Sequence, residues 1–374
     1  MGPQVAIKND PDIARCRNSA YNEGIMLSAQ KLISEDPAPL RIGATGLVGR
    51  AFLAPMAGVT DFAMRRIAER HGASATVSEM IAGAGVQRGD AETARRLRAS
   101  DDGAGTGAPR VVQIAARDVE GIAAAARCAE ESGADWVDIN MGCPCKRVTG
   151  GLAGAALMRD PDQAVRLIAA ARAAIAIPVT VKMRLGWDDA SRNAPELARR
   201  AEGEGVALIT VHGRTRQQFY TGRADWAAIA AVASAVRIPV VANGDCASPD
   251  DARDMLRASG ADAVMIGRAA QGRPWLVGDI AHFLDSGLRR APPDWRTRGA
   301  LAREHLDGLL TLMGVDAGLR HARKHLAAYV DHAVQDGLAT DAGMRRELVT
   351  TPDHRMAFRL IARIFTLPVT EAAA

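Results

Sequence analysis

The 374-residue chain contains no long uncharged apolar run. A membrane-spanning helix needs about 18 or more such residues, so none is expected. The first residues, "MGPQVAIKNDPDIARCRNSAYNEG", scatter charge throughout and lack the apolar centre of a secretory signal. There is no Cys-x-x-Cys pair. The five cysteines (Cys16, Cys128, Cys143, Cys145 and Cys246) are odd in number and irregular in spacing. That pattern argues against a thiolate zinc site and against a disulfide framework, and points to a reducing, cytoplasmic setting. Aromatic residues are scarce while Ala, Gly and Arg are plentiful, a bias that speaks of a GC-rich genome more than of a function. Strong charge of one sign is also missing. The net charge of +4 permits a polyanionic partner without requiring one.

What is present is a rhythm. Eight short apolar or β-branched runs alternate with Ala-rich amphipathic stretches: "AFLAPM", "ATVSEM", "RVVQIA", "WVDINMG", "PVTVKMR", "ALITVHG", "PVVANGD" and "AVMIGR". "SGAD", "EGVA" and a second "SGAD" precede the fourth, sixth and eighth runs, each with a Gly suited to close a helix. Continuous apolar strands flanked by helices predict an α/β fold with a covered parallel sheet. Eight of them predict a (β/α)8 TIM barrel, here over residues 45–285. Residues 1–44 carry no clear apolar period and are expected to be a loosely ordered leader, with Met26 a second candidate start.

After residue 285 the strand rhythm stops at "RRAPPDW". Helical patterns follow at Leu301–Met313, Leu319–Val330, Met344–Leu348 and Arg355–Phe365, predicting a small all-helical C-terminal domain over residues 286–374. Residues 287–374 hold 13 Lys and Arg against 10 Asp and Glu, so most of the net positive charge lies there. Arg320, Arg323 and Lys324 fall on neighbouring turns of one predicted helix. Alone they describe a solvated face as well as a binding surface.

Nearly every run ends in a polar, chemically capable residue: Glu79, Gln113, Asn140, Lys182, Arg184, His212, Asn243, Asp245 and Arg268. In a barrel those ends converge on one face, where active sites form. "NGD" and "IGR" end the seventh and eighth runs, the usual place for a phosphate, with Gly admitting backbone N–H groups and Arg268 adding charge. Lys182 suits an anion generated during chemistry, such as a reduced flavin. His212 falls near the same mouth, Gln113 suits a ring edge, and "APMAG" offers a soft wall for a planar ring. Between "DINMG" and "TGGLAG" stands Cys143. Its one-residue gap to Cys145, stiffened by Pro144, fits neither a metal knuckle nor a redox pair. A buried inert thiol and an acid–base thiol both remain for Cys143; the inert reading suits the other cysteines.

The strings "APMAGVTD", "SEM", "NMGCP" with "KRV" and "GGLAGAALM", "VKMRLGW", "HGRTRQQFYTGRADW", "VVANGD" and "IGRAAQGRPW" cover about residues 50–280 in order. "ARKHLAAYV" extends them into the helical part. Together they resemble the tRNA-dihydrouridine synthase family, most like its bacterial B-type branch. The resemblance implies an FMN-binding barrel that uses NADPH to reduce the C5–C6 double bond of a uridine in tRNA. It implies that Pro55, Met56 and Ala57 line the flavin, that Gln113 and Lys182 bind its ring, and that His212 lies beside it. Asn243, Gly244, Asp245, Gly267 and Arg268 are expected at the ribityl phosphate end. Cys143 matches the catalytic cysteine, donating a proton to C5. Asn140, Arg214 and, more weakly, Arg184 are expected on the uracil, and Arg320, Arg323 and Lys324 on tRNA. No metal, membrane or obligate protein partner is expected. Two rival readings are an FMN barrel reductase for a small molecule, of dihydroorotate or enoate type, and a non-catalytic RNA-binding module.

Overall fold

The computed structural model describes residues 39–98 and 107–366. All eight predicted runs form parallel strands: β1 (Ala51–Leu53), β2 (Ala75–Val77), β3 (Arg110–Ala115), β4 (Trp136–Met141), β5 (Val179–Arg184), β6 (Ile209–His212), β7 (Val240–Asn243) and β8 (Ala263–Ile266). Each pairs with its neighbours in chain order, and β8 pairs with β1, so the sheet closes into a barrel. Two residues, Ile81–Ala82, add a short pairing beyond the end of β2, against β3.

Alternation along the strands separates two cores. Leu53, Ile114, Val137, Ile139, Val181, Val211 and Ala242 pack outward under the helices. Phe52, Val111, Trp136, Leu208, Val241 and Met265 fill the barrel interior. That inner cluster also takes Leu40, Ile42 and Leu47. Leu40 and Ile42, assigned to the leader on sequence grounds, therefore belong to the fold. The pairing of Arg41–Ile42 with Thr45–Gly46 makes a small hairpin between them and Leu47. Residues 1–38 of the expected leader lie outside the described residues.

The principal outer helices are α1 (Phe62–Arg70), α2 (Val119–Glu131), α3 (Pro161–Ala174), α4 (Ala194–Gly203), α5 (Pro249–Ser259) and α6 (Leu276–Ser286). Their starts follow capping chemistry: Asp61, Asp118, Asp160 and Ser248 each accept a backbone N–H of the first turn. The three glycines expected to close helices, Gly133, Gly205 and Gly260, all have positive φ.

The C-terminal region is helical, with α7 (Trp295–Met313), α8 (Val315–Gln335), α9 (Ala342–Thr350) and α10 (His354–Thr366). The helices run beyond the apolar periods that announced them, because their terminal turns are polar and carry no hydrophobic signal. Leu306, Leu309, Leu326, Val330, Ile361 and Ile364 build their shared core. Ile67 of α1 and Trp275 join the same cluster, so this core continues onto the outside of the barrel.

Candidate active site

Strand register assembles the site. Asn140 pairs with Lys182, Arg184 with His212, and His212 with Asn243, so four adjacent strands deliver their last polar residues side by side. All five residues are buried. The alternation that fills the lower interior with apolar residues thus leaves a polar layer at the C-terminal ends of the strands.

One hydrogen-bonded chain crosses that layer. Thr180 Oγ1 donates to Asp138 Oδ1 at 2.7 Å. Gln113 Nε2 donates to Asp138 Oδ2 at 2.8 Å, and Asn140 Nδ2 donates to Gln113 Oε1 at 2.8 Å. Asn140 Oδ1 then accepts the backbone N–H groups of Gly142 (3.1 Å) and Cys143 (2.9 Å). An ionised carboxylate only accepts, so Asp138 orients the Gln113 amide, which orients the Asn140 amide. Burial nevertheless pushes the Asp138 carboxyl above its ordinary range, opposed by its bonds to Gln113 and Thr180 and by the Lys182 charge. The sequence reading passed over Asp138. The signal was there: Asp138 and Asn140 stand two apart on one strand and so share the inner face.

Cys143 follows β4, half-buried and unpaired. Its carbonyl accepts Ala155 N–H at 3.1 Å, which fixes the strand end against the following segment. Gly154, with φ +61°, lies so close that a Cβ there would meet Cys143 O at 3.0 Å. Burial raises the thiol above its ordinary value, while the Cys145 backbone N–H, Arg184 and Lys182 work the other way. The sulfur is therefore a thiol at neutral pH, suited to giving a proton rather than to nucleophilic attack.

Lys182 Nζ donates to Asn243 Oδ1 at 2.9 Å, and Asn243 Nδ2 donates to Met265 O at 2.8 Å. Burial, then Arg184, lowers the ammonium to about 8. Burial also drives His212 well below its ordinary value, helped by Lys182, Arg184, Arg214 and Arg268. Arg214 Nη1 lies 3.2 Å from His212 Nε2. A guanidinium only donates, so Nε2 accepts and the neutral ring carries its proton on Nδ1.

Arg214 is committed elsewhere too. It pairs with both oxygens of Asp245 at 3.1 and 2.6 Å and donates to the Thr221 and Gly222 carbonyls. Asp245 also accepts Ala224 N–H and faces Arg268 at 3.3 Å. Burial alone would raise its carboxyl, but these partners, Arg214 foremost, hold it below the ordinary range. Arg184 Nε donates to Gly142 O, and its Nη1 to Thr215 O and Phe219 O, tying the β4 end to the loop after β6. Tyr220 of that loop lies under both Arg184 (5.5 Å) and Arg268 (5.0 Å), a cation–π stack the sequence reading did not single out.

At the β1 end, a Cβ on Gly267 would sit 3.8 Å from Met56 Sδ, so the Met56 loop and the β8 end are neighbours. Pro55 and Met56 are half-buried and Ala57 is exposed. In the helical region Arg320 is exposed, whereas Arg323 Nη2 reaches the Thr350 and Thr351 carbonyls at 3.4 Å. Lys324 is half-buried and turned towards the barrel, its Nζ 3.8 Å from the place of a Gly58 Cβ.

A model of the dihydrouridine synthase family matches residues 52–357. A probable tRNA-dihydrouridine synthase of Rhizobium leguminosarum bv. phaseoli is 50% identical over 75% of this chain and 85% of its own. The tRNA-dihydrouridine synthase B of Xanthomonas axonopodis pv. citri is 44% identical over 85% of this chain and 94% of its own. Among solved structures, histamine dehydrogenase from Rhizobium sp. 4-9 superposes with a TM-score of 0.53 at 15% identity, over 77% of this chain and 50% of that one, a likeness of fold alone. No helix among the described residues is long and apolar enough to cross a membrane. With a family match spanning the barrel and most of the helical region, the chain belongs to the dihydrouridine synthase family.

Proposed function

We propose that the chain is an FMN-dependent, NADPH-consuming enzyme that reduces the C5–C6 double bond of a uridine in tRNA, in the reducing cytoplasm. The observation that carries this reading is the place of Cys143, two residues past β4, its backbone held by Asn140, the residue that pairs in register with the buried Lys182. A small-molecule reductase has the same needs at the barrel mouth, but the family match includes most of the helical region as well.

The residues suit a flavin. Lys182 is buried with one amide acceptor and no salt-bridge partner among the described residues, leaving two N–H donors for an anionic ring edge. Gly244, at φ +124°, has no room for a side chain, since a Cβ would meet Ala224 Cβ at 2.6 Å. Its backbone, with Gly267 and Arg268, offers the phosphate end a close approach. Pro55, Met56 and Ala57 supply the apolar wall, and Gln113 and His212 the polar edge.

FMN held by these residues would supply hydride chemistry, with NADPH as the source of reducing equivalents and C6 of the uracil as the acceptor. Cys143 Sγ then gives its proton to C5, so one hydride and one proton complete the saturation. Lys182 would hold negative charge on the cofactor side and thereby favour reduction of the flavin by NADPH. Asn140 fixes the Cys143 backbone, and Arg184 fixes Gly142, so the sulfur keeps its place while the base enters. Entry requires the uridine to leave the tRNA stack, at a cost of a few kcal/mol. Arg320 and Lys324 provide phosphate contacts that offset it; Arg323 is assigned to the same surface.

Mass mapping of dihydrouridine in tRNA from a deletion strain tests the reading. Loss of the base at one or more positions, restored by the wild-type gene and not by Cys143→Ala, is the expected result. An unchanged dihydrouridine map overturns it.

A further inference from the structure

We propose that Asp61, His321 and His325 form a binding site for one divalent transition-metal ion of the zinc class, fastening the helical region to the barrel. Asp61 follows the β1 loop and caps α1. His321 and His325 stand four apart on α8 and so share one helix face. This His-x3-His pair is not among the metal candidates that the cysteine spacing raised.

The three donor atoms lie within 4.8 Å of one another. Asp61 Oδ2 is 3.1 Å from His325 Nε2 and 3.9 Å from His321 Nε2. Two ligands about 2.0–2.1 Å from a tetrahedral zinc lie roughly 3.3 Å apart, so these separations bracket a coordination shell. The hydrogen bonding points the same way. His325 is 1% exposed; its Nε2 makes the ion-pair approach to Asp61 Oδ2, while its Nδ1 is buried without a hydrogen-bond partner among the described residues. His321 Nε2 is also buried without one. Polar atoms left so in a protein interior are rare and costly unless something else satisfies them.

A supporting layer is in place. Asp61 Oδ1 accepts Met64 N–H at 3.1 Å, and His305 Nε2 lies 3.3 and 3.2 Å from the two carboxylate oxygens. His305 Nδ1 in turn contacts Tyr329 OH at 3.4 Å. Such partners fix ligand orientation. A cavity of about 140 Å³ reaches Asp61 and His321 and has space for a water as a further ligand; its charged lining is mixed, with Glu79 and Glu92 beside Arg65, Arg95 and Arg96. Two imidazoles and a carboxylate suit zinc or a neighbouring first-row ion and do not suit a thiophilic one.

The test uses the full-length protein after dialysis against a chelator. Zn2+ is titrated calorimetrically and Co2+ by absorbance. The expected result is saturation at one equivalent, with visible cobalt bands and without the thiolate-to-cobalt band that Cys143 or Cys145 would generate. His321→Ala should bind at least tenfold more weakly with an unchanged far-UV spectrum, and Cys145→Ser should bind as the wild type does. Absence of saturable binding, or wild-type binding by both His321→Ala and His325→Ala, overturns the proposal. If the histidine variants misfold, the wild-type cobalt spectrum decides alone: thiolate bands overturn the site, and nitrogen–oxygen bands support it.

Discussion

The Cys143 amide donates to the Asn140 side-chain oxygen at 2.9 Å, so the sulfur is positioned through its own backbone by a residue at the end of the same strand. Replacing the side chain leaves that bond intact. Cys143→Ala is therefore expected to keep the fold and the flavin content. It should slow dihydrouridine formation by roughly 10²–10⁴-fold, the usual weight of a general acid. Single-turnover reduction of tRNA by the pre-reduced variant measures this.

Asp138 sets the direction of two amides without touching Cys143. Asp138→Ala should cost about 1–3 kcal/mol of stability, because it leaves buried donors on Gln113 and Thr180. It should also lower kcat as Asn140 loses its fixed orientation. Asp138→Asn should retain most of both, since its oxygen can face Gln113 while its NH2 faces the Thr180 hydroxyl. Urea denaturation and steady-state rates on the two variants check the ordering; equal behaviour would deny Asp138 a positioning role.

Lys182 has its pKa lowered to about 8, so in the flavin-free protein the cation is present below that pH and lost as pH rises through it. Affinity of the flavin-free protein for FMN should accordingly fall with rising pH across that point. Lys182→Met should bind weakly throughout, with little pH dependence. Fluorescence titration of FMN at a series of pH values supplies the test.

Arg320 and Lys324 share a helix but not an environment. Arg320 is exposed, whereas Lys324 is half-buried beside the β1 loop, within electrostatic reach of Asp61 and Glu79. Arg320→Glu should weaken tRNA binding about tenfold and flatten its salt dependence, with flavin reduction by NADPH unchanged. Lys324→Glu should also weaken tRNA binding and leave flavin reduction unchanged, but in addition lower the melting temperature, since it sets three carboxylates close together. Filter binding at several salt concentrations and thermal melts distinguish the two.

The barrel was legible because its signals are local: each strand announces itself by a short apolar run, and several of the helices by a cap or a closing glycine. The polar layer was legible in part, because Gln113, Asn140, Lys182, His212 and Asn243 stand at or near strand ends, where register alone brings them together. Asp138 was legible only as a residue on the same inner face as Asn140; its role was not, because burial of a charge mid-strand makes sense only once Gln113 and Thr180 are seen beside it. The Asp61–His325 contact was hidden for a different reason. It joins residues 264 positions apart, and nothing in either segment's periodicity reports the other.

The hairpin that brings Leu40, Ile42 and Leu47 against Phe52 and Trp136 has a practical consequence for anyone trimming the protein. A version begun at Gly49 would keep every strand of the barrel and every residue assigned to chemistry, yet its cylinder would have lost its stopper and admit solvent from the end opposite the reaction. Shortened forms should therefore keep Pro39 onwards.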